Sequence, residues 1–96
     1  MTATTEREAR ILQAVDALRD DLVSLTQALI ACRTDSQSVS NAEFPSEARR
    51  CHDIIAQQLA ASGMSVERWD EPPYYPVTVG RLPGDGTGPS LAINGH

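Results

Sequence analysis

Apolar residues recur along the first third of the chain at intervals of three or four, the spacing of one helix face. This stripe consists of Ile11, Val15, Leu18, Leu22, Leu25 and Leu29. Further apolar positions widen it, so we expect more than one neighbour to cover the helix: Leu12, Val23 and Ile30. Glu6 and Glu8 precede the stripe, where carboxylates complement the positive end of the helix dipole. The pattern predicts a single helix from about Thr5 to about Cys32.

A polar segment without apolar periodicity follows, and it predicts a surface loop over Arg33–Phe44. Such a loop is long for a compact domain, which favours a functional or partner-facing role. Pro45 suits the first turn of a second helix, because its missing N–H would be unpaired there. Gly63 is predicted to end that helix in a left-handed conformation. The apolar face between them is formed by Ala48, Cys51, Ile54, Ile55 and Leu59.

Beyond Gly63 the hydrophobic period changes from helical spacing to alternation. Met64–Trp69 is predicted to be a half-exposed strand, ended by the three prolines of Glu71–Pro76. Val77–Leu82 is a second candidate strand. Leu91–Ile93 is a third, and its unbroken apolar run is typical of a strand covered on both sides. A glycine-rich turn between the second and third strands predicts that these two are antiparallel neighbours.

These elements predict an α/β fold in which two N-terminal helices pack on a mixed sheet. With 96 residues, the chain is expected to form one small domain, residues 1–96. Its 8 basic and 13 acidic residues give a net charge of −5, and none of the basic residues is Lys. This balance disfavours nucleic acid or an anionic membrane as a partner, because both need clustered positive charge.

The N-terminal sequence has no basic start followed by an apolar stretch, so it does not predict a secretion signal. No apolar run approaches the ~20 residues that cross a bilayer. We therefore expect a cytoplasmic protein, in which Cys32 and Cys51 are buried thiols rather than a disulfide.

Two candidate sites are better explained as structure. The glycine-rich turn, Gly84–Gly88, could be read as a phosphate cradle, but a cradle needs a helix to follow, and here Pro89 and an apolar strand follow. It is predicted to be a hairpin turn. Cys51 and His52 are both metal-binding types, yet helical neighbours point about 100° apart and do not converge on one ion. A buried thiol and a boundary histidine are the better interpretation.

His96 has a more suggestive position, at the end of the predicted apolar strand and directly after Gly95. Ligands of α/β sheets lie just beyond strand tips, and imidazole is the commonest protein ligand of zinc. On this residue alone, an incidental histidine without a role is still the better explanation. The surrounding motifs change that balance.

Residues 20–96 resemble the start of one group of metallopeptidases, the acetylornithine deacetylase, succinyl-diaminopimelate desuccinylase, aminoacylase and glutamate carboxypeptidase family of zinc-dependent amidohydrolases. The family's first helix carries an L-V-x-L-x-x-L-I pattern, matched by Leu22, Val23, Leu25, Leu29 and Ile30. Its next helix ends L-x-x-x-G before a strand, matched by Leu59, Gly63 and Met64–Glu67. The most specific part is V-x-x-R-L-P-G, a glycine-rich turn and a strand ending N-G-H, matched by Val77, Arg81, Leu82, Pro83, Gly84 and Asn94–His96.

The resemblance implies that the chain is the N-terminal, incomplete part of a zinc-peptidase-like α/β/α catalytic domain. It implies that His96 is the first ligand of a site for two zinc ions, with cobalt as a possible substitute. The family's next ligand is an aspartate two positions later, and its general-base glutamate lies further on. No catalytic residue is therefore expected within the chain, and the chain alone is expected to be inactive. The implied substrates are N-acyl amino acids or small peptides, and the full-length enzyme is a possible homodimer.

One departure from the family leaves the subfamily open. Many relatives carry a Pro-Ser-Val-Ser-like segment after the first helix, whereas here Ser38–Ser40 lies in a longer polar loop without the proline. An alternative from another functional class is a free-standing small α/β interaction module without metal. In that case the loop Arg33–Phe44 would be its binding edge.

Overall fold

The structure is a computed structural model that describes residues 5–34, 43–71 and 75–95. The described residues form a small α/β fold, three helices followed by a two-stranded antiparallel sheet. The predicted fold class is confirmed at this level. The elements are α1 (Glu6–Ala17), α2 (Arg19–Ile30), α3 (Phe44–Ala61), β1 (Ser65–Glu71) and β2 (Tyr75–Arg81).

The first helix begins where the sequence predicts, and side chains close its N-terminus. The backbone N–H of Glu8 donates to Thr5 Oγ1 at 3.1 Å, and the backbone N–H of Thr5 donates to Glu8 Oε2 at 3.2 Å. This reciprocal pair is a capping box, which satisfies two backbone donors that the helix leaves unpaired. Glu6 and Glu8 both lie in the first turn, as predicted.

The prediction of one continuous helix from Thr5 to Cys32 is wrong. The helix is interrupted at Leu18, where φ is −85° and ψ is 0°, and α2 starts at the next residue. There the N–H of Leu18 donates to the carbonyl of Val15 at 3.1 Å, three residues back instead of four. Neither proline nor glycine marks the interruption, and the apolar stripe continues across it. Periodicity reports which residues share a face, and it does not detect a break of one residue.

The second predicted helix is confirmed as α3, with Pro45 in its first turn and Gly63 just after its end. Gly63 has a φ of +86°, a conformation that glycine adopts without a Cβ penalty. The N–H of Gly63 donates to the carbonyl of Ala60 at 3.0 Å, and the N–H of Met64 donates to that of Leu59 at 3.1 Å. These two bonds form a Schellman motif. It turns the chain from α3 into β1 within a few residues.

The two strands form a hairpin in which Ser65 lies opposite Arg81 and Glu71 opposite Tyr75. Both strands were predicted, but the expectation that prolines stay outside the sheet is wrong for Pro76. Pro76 lies within β2, opposite Asp70. In a two-stranded sheet each strand is an edge strand, and edge strands tolerate a residue without an N–H.

Helix α3 covers one face of the hairpin, and the packing is tight at Gly80. A Cβ built on Gly80 would lie 2.9 Å from Met64 Sδ and 3.1 Å from Leu59 Cδ1 and Cδ2. The hydrogen bond between His52 and Thr78 and the ion pair between Arg49 and Asp70 continue this contact toward the start of α3. Together these contacts show that α3 runs in the direction of β2 and against β1.

The prediction of a mixed sheet covered by two N-terminal helices is wrong for the described residues. Their sheet has two antiparallel strands, and of their helices α3 alone packs on it. Helix α2 contacts α3. Among the described elements, α1 contacts α2 alone. The third predicted strand is also not formed. Residues 82–95 lie outside helices and strands, and Leu91 and Ile93 are 85% and 90% exposed.

Burial is concentrated where α2 meets α3. The buried apolar residues in the described part of the chain are Cys32 and Ala48, which are 4% and 5% exposed. The apolar stripe of α1 and α2 is instead largely uncovered, and these members are each more than half exposed: Ile11, Leu12, Val15, Leu18, Leu22, Val23 and Ile30. Among the described helices, none is long and apolar enough to cross a membrane.

We predict that Gly80→Ala destabilises the fold, because its new methyl group would displace Met64 and Leu59. Overpacking of this kind costs about 1–3 kcal/mol, which urea unfolding would measure. Gly84→Ala is the matched control, since a Cβ there meets no atom within 4 Å. We expect its free energy of unfolding to change by no more than about 0.5 kcal/mol. Equal effects of the two substitutions would contradict close packing at Gly80.

Candidate functional site

The residue assigned to metal from the sequence, His96, lies outside the described residues. The segment before it was expected to present it at the tip of a covered strand. Residues 91–95 instead form an exposed, irregular segment. The geometric argument for His96 therefore has no support in the fold, and its assignment stays a prediction that rests on the resemblance.

Polar side chains gather elsewhere, on the surface where α3 lies against the hairpin. We call this surface the α3–hairpin seam. It consists of residues from α3, β1 and β2, namely Arg49, His52, Asp53, Arg68, Asp70 and Thr78.

Two ion pairs cross the seam. Arg49 Nη2 lies 3.3 Å from Asp70 Oδ2, and Arg68 Nη1 lies 2.7 Å from Asp53 Oδ1. Arg49 and Asp53 are one helical repeat apart, about 6.0 Å along the axis. Arg68 and Asp70 are one strand repeat apart, about 6.6 Å. Because α3 and β1 run in opposite directions, these nearly equal spacings place opposite charges side by side.

The seam pairs favour this alignment but contribute little stability. Their side chains keep between 37% and 60% of their surface exposed. Exposed ion pairs are worth about 0–1 kcal/mol each, because water and salt screen them. The sequence analysis did not predict this surface. The sequence does contain a clue to it, because Arg49 and Asp53 on the helix have nearly the same spacing as Asp70 and Arg68 on the following strand, with opposite charges.

His52 forms the third contact of the seam. Its Nδ1 lies 2.8 Å from Thr78 Oγ1, within hydrogen-bonding distance. Partial burial lowers the pKa of the His52 imidazole, and the positive charge of Arg68 lowers it further, against a smaller opposing effect of Asp53. His52 is therefore a half-buried link between α3 and β2. This agrees with its prediction as a boundary histidine.

The neighbouring thiol, Cys51, lies in a different environment. Burial raises the pKa of the Cys51 thiol, and Cys32 raises it further, whereas the imidazole of His52 lies against Thr78. Adjacent helical residues point about 100° apart, so the two side chains are not expected to bind one ion together. In the described part of the chain, no cluster of three or more His, Cys, Asp or Glu side chains could hold a metal ion.

An open groove of about 360 Å³ lies beside the seam, and it is lined by Arg49, Asp53, Arg68, Trp69, Asp70 and Pro76. Its volume is at the lower end of the range for small-molecule sites. Its four charged side chains pair with one another, and the indole N–H of Trp69 donates to Glu71 Oε1 at 2.8 Å. A ligand would have to compete with these contacts, so the groove does not identify one.

The glycine-rich turn is built around Asp85. Its Oδ1 accepts hydrogen bonds from the backbone N–H of Thr87 at 3.0 Å and from Thr87 Oγ1 at 2.6 Å, which lowers the pKa of the Asp85 carboxyl. Gly86 follows Asp85 with a φ of +87°. The prediction of a hairpin turn is wrong, because residues 89–95 form no strand after it.

The long loop was the candidate binding edge of the alternative interaction module. Residues 35–42, and with them Ser38–Ser40, lie outside the described residues. The ends of the loop approach each other, since Arg33 Nη1 is 3.9 Å from Glu43 Oε2. Phe44, which was assigned to the loop, is the first residue of α3.

The chain was also compared with known proteins. Family models, curated proteins and solved structures gave no match. The family resemblance therefore stays a prediction.

We predict that the fold loses stability as pH falls from about 8 through the ordinary histidine pKa of about 6.5. The folded chain holds the pKa of His52 below its unfolded value, so the unfolded chain binds more protons in this range. His52 thus contributes nothing to the pH dependence above the unfolded pKa, and it opposes folding increasingly as pH drops below it. Urea midpoints measured between about pH 8 and pH 5.5 should decline.

His52→Asn is the informative variant, because an amide cannot titrate but can keep a hydrogen bond to Thr78. Its urea midpoint should vary less with pH over the same range. Thr78→Val is the matched control, which removes the hydroxyl and leaves the titrating imidazole. An unchanged pH profile in His52→Asn would show that other groups cause the decline.

Proposed function

We propose that residues 1–96 form the N-terminal part of the catalytic domain of a dinuclear-zinc amidohydrolase that cleaves N-acyl amino acids or small peptides. The observation that carries the proposal is the run from Arg81 to His96. It combines R-L-P-G, a glycine-rich turn and an apolar segment ending N-G-H in the order typical of this family. The helix motifs before it add support but would fit many proteins.

The uncovered apolar surface of the described residues also supports the proposal. The stripe on α1 and α2 and the side chains of Leu91 and Ile93 are largely exposed. Contiguous apolar surface of this kind marks a surface that another element or molecule covers. In an α/β/α domain, helices cover both faces of the sheet and apolar strands lie inside it. The proposed larger domain would cover these residues in that way.

The described residues do not fit a zinc site by themselves, since they contain no suitable cluster of ligands. Within this chain the proposal assigns one ligand, His96, and no catalytic residue. When bound, paired zinc ions would polarise the amide carbonyl and activate a water molecule. We assign no step of that reaction to a residue of this chain.

The reading frame of the gene provides the first test. The reading frame is expected to continue beyond codon 96. The second codon after His96 should encode aspartate, the next metal ligand implied by the resemblance. In the longer protein, His96→Ala should abolish zinc-dependent hydrolysis of N-acetyl amino acids, whereas His52→Asn should retain it. A frame that stops after His96, or an active His96→Ala variant, would refute the proposal and favour the interaction module.

We also predict that the 96-residue chain binds zinc only weakly. Structural and catalytic zinc sites use three or four ligands, and one imidazole provides little affinity. Calorimetric titration at neutral pH should therefore give no binding in the sub-micromolar range. Parallel titrations of His96→Ala and His52→Asn would identify which imidazole is responsible for any weak zinc binding that the calorimeter detects. Sub-micromolar affinity of the chain would contradict the assignment of a single ligand.

A further inference from the structure

We propose that Asn94 is a modification site, at which the side-chain amide converts spontaneously to a carboxylate after attack by the backbone nitrogen of Gly95. This inference is independent of the proposed function, because it uses neither His96 nor a metal. Asn94 and Gly95 are adjacent in the sequence, so the reacting groups need no tertiary contact to meet. The fold decides whether the backbone between them is free to bring them together.

The segment that carries the two residues is open to solvent and lies outside regular structure. Residues 89–95 form no helix or strand, Asn94 and Gly95 are exposed, and Ile93 is 90% exposed. In a paired strand, ladder hydrogen bonds would fix the backbone in an extended form and keep the nitrogen of Gly95 away from the Asn94 amide. Because these residues form no strand, the backbone has the freedom that ring closure requires.

Glycine is the residue type that favours this reaction most. Gly95 has no Cβ to hinder the approach of its nitrogen, and glycine has the widest choice of backbone conformations. The other asparagine of the chain, Asn41, is followed by Ala42, whose methyl group hinders the same attack. Of the two asparagines, Asn94 is therefore expected to react first.

The conversion takes place in two balanced steps. The nitrogen of Gly95 loses its proton to hydroxide and attacks Cγ of Asn94. A new C–N bond closes a succinimide ring, the bond from Cγ to the side-chain nitrogen breaks, and that nitrogen takes up a proton and leaves as ammonia. Water then opens the ring at the side-chain carbonyl, which gives aspartate, or at the backbone carbonyl, which gives isoaspartate. One water is consumed, and the new carboxyl group adds a negative charge at neutral pH.

Asp85 and Gly86 are a second pair of this kind, and hydrogen bonds protect it. Asp85 Oδ1 accepts hydrogen bonds from the backbone N–H of Thr87 at 3.0 Å and from Thr87 Oγ1 at 2.6 Å. These bonds stabilise the carboxylate and lower the pKa of Asp85. A carboxylate is a poor target for a nucleophile, so ring closure at Asp85 needs the protonated form. At neutral and alkaline pH, Asp85 should therefore persist while Asn94 reacts.

The 96-residue chain is the test protein, incubated in buffers of neutral to alkaline pH and then digested briefly with trypsin. Cleavage after Arg81 releases residues 82–96, a single peptide that contains both Asp85 and Asn94. Tandem mass spectrometry locates the exchange of NH2 for OH, and an isoaspartyl methyltransferase with labelled S-adenosylmethionine measures the isoaspartate form. We expect both products at Asn94, at a rate that rises with hydroxide concentration, and no isoaspartate at Asp85.

Two glycine variants provide matched controls, because a Cβ at either position meets no atom within 4 Å. Gly95→Ala should slow the conversion of Asn94 at least several-fold, since its methyl group stands beside the attacking nitrogen. Gly84→Ala should leave the rate at Asn94 unchanged. Equal rates in the two variants would overturn the proposed attack by the nitrogen of residue 95.

The same incubation in concentrated urea measures the reaction without the fold. The folded chain should convert Asn94 at nearly the rate of the unfolded chain, because the segment is already exposed and irregular. A folded rate more than about tenfold lower would mean that the reactive conformation costs about 1.4 kcal/mol or more to reach. That result would overturn the proposal, as would a chain in which Asn94 stays intact or Asn41 reacts first.

Discussion

The close packing of α3 on the hairpin is the contact on which the rest of the fold depends. It favours a position without a side chain at Gly80, because a Cβ there would lie 2.9 Å from Met64 Sδ and 3.1 Å from Leu59 Cδ1, and these side chains would have to shift. The Schellman motif after α3 brings the chain back along the helix that it has just left. With the direction and the separation of α3 and β1 thus set, the ion pairs and the His52–Thr78 contact of the seam lie within bonding distance.

The sequence predicted the elements that have local signals and missed those that depend on partners. Pro45 and Gly63 mark the two ends of α3 by their backbone preferences, and alternation marks the two strands. The break at Leu18 has no such signal, and the apolar stripe continues through it. The run Leu91–Ile93 has the composition of a buried strand, but a strand also needs a neighbouring edge and covering layers. In the described residues these partners are lacking, and the run is exposed.

The candidate site shows the same division between local and long-range information. The argument that Cys51 and His52 point apart needed only helical geometry. The contact of His52 with Thr78 could not be predicted, because it depends on how separate elements pack. The assignment of His96 rests on resemblance alone. The seam, by contrast, is defined by distances within the fold.

The interruption at Leu18 divides the N-terminal helical region into two segments that are held in different ways. Helix α2 touches α3, whereas α1 contacts α2 alone among the described elements and keeps its large apolar side chains in water. The capping box at Thr5 and the backbone bonds of twelve residues are its main support. A helix of that length is marginal in water without tertiary contacts. On warming, α1 should therefore lose its structure first, so that melting proceeds from the N-terminal end inward while α3 and the hairpin still hold together.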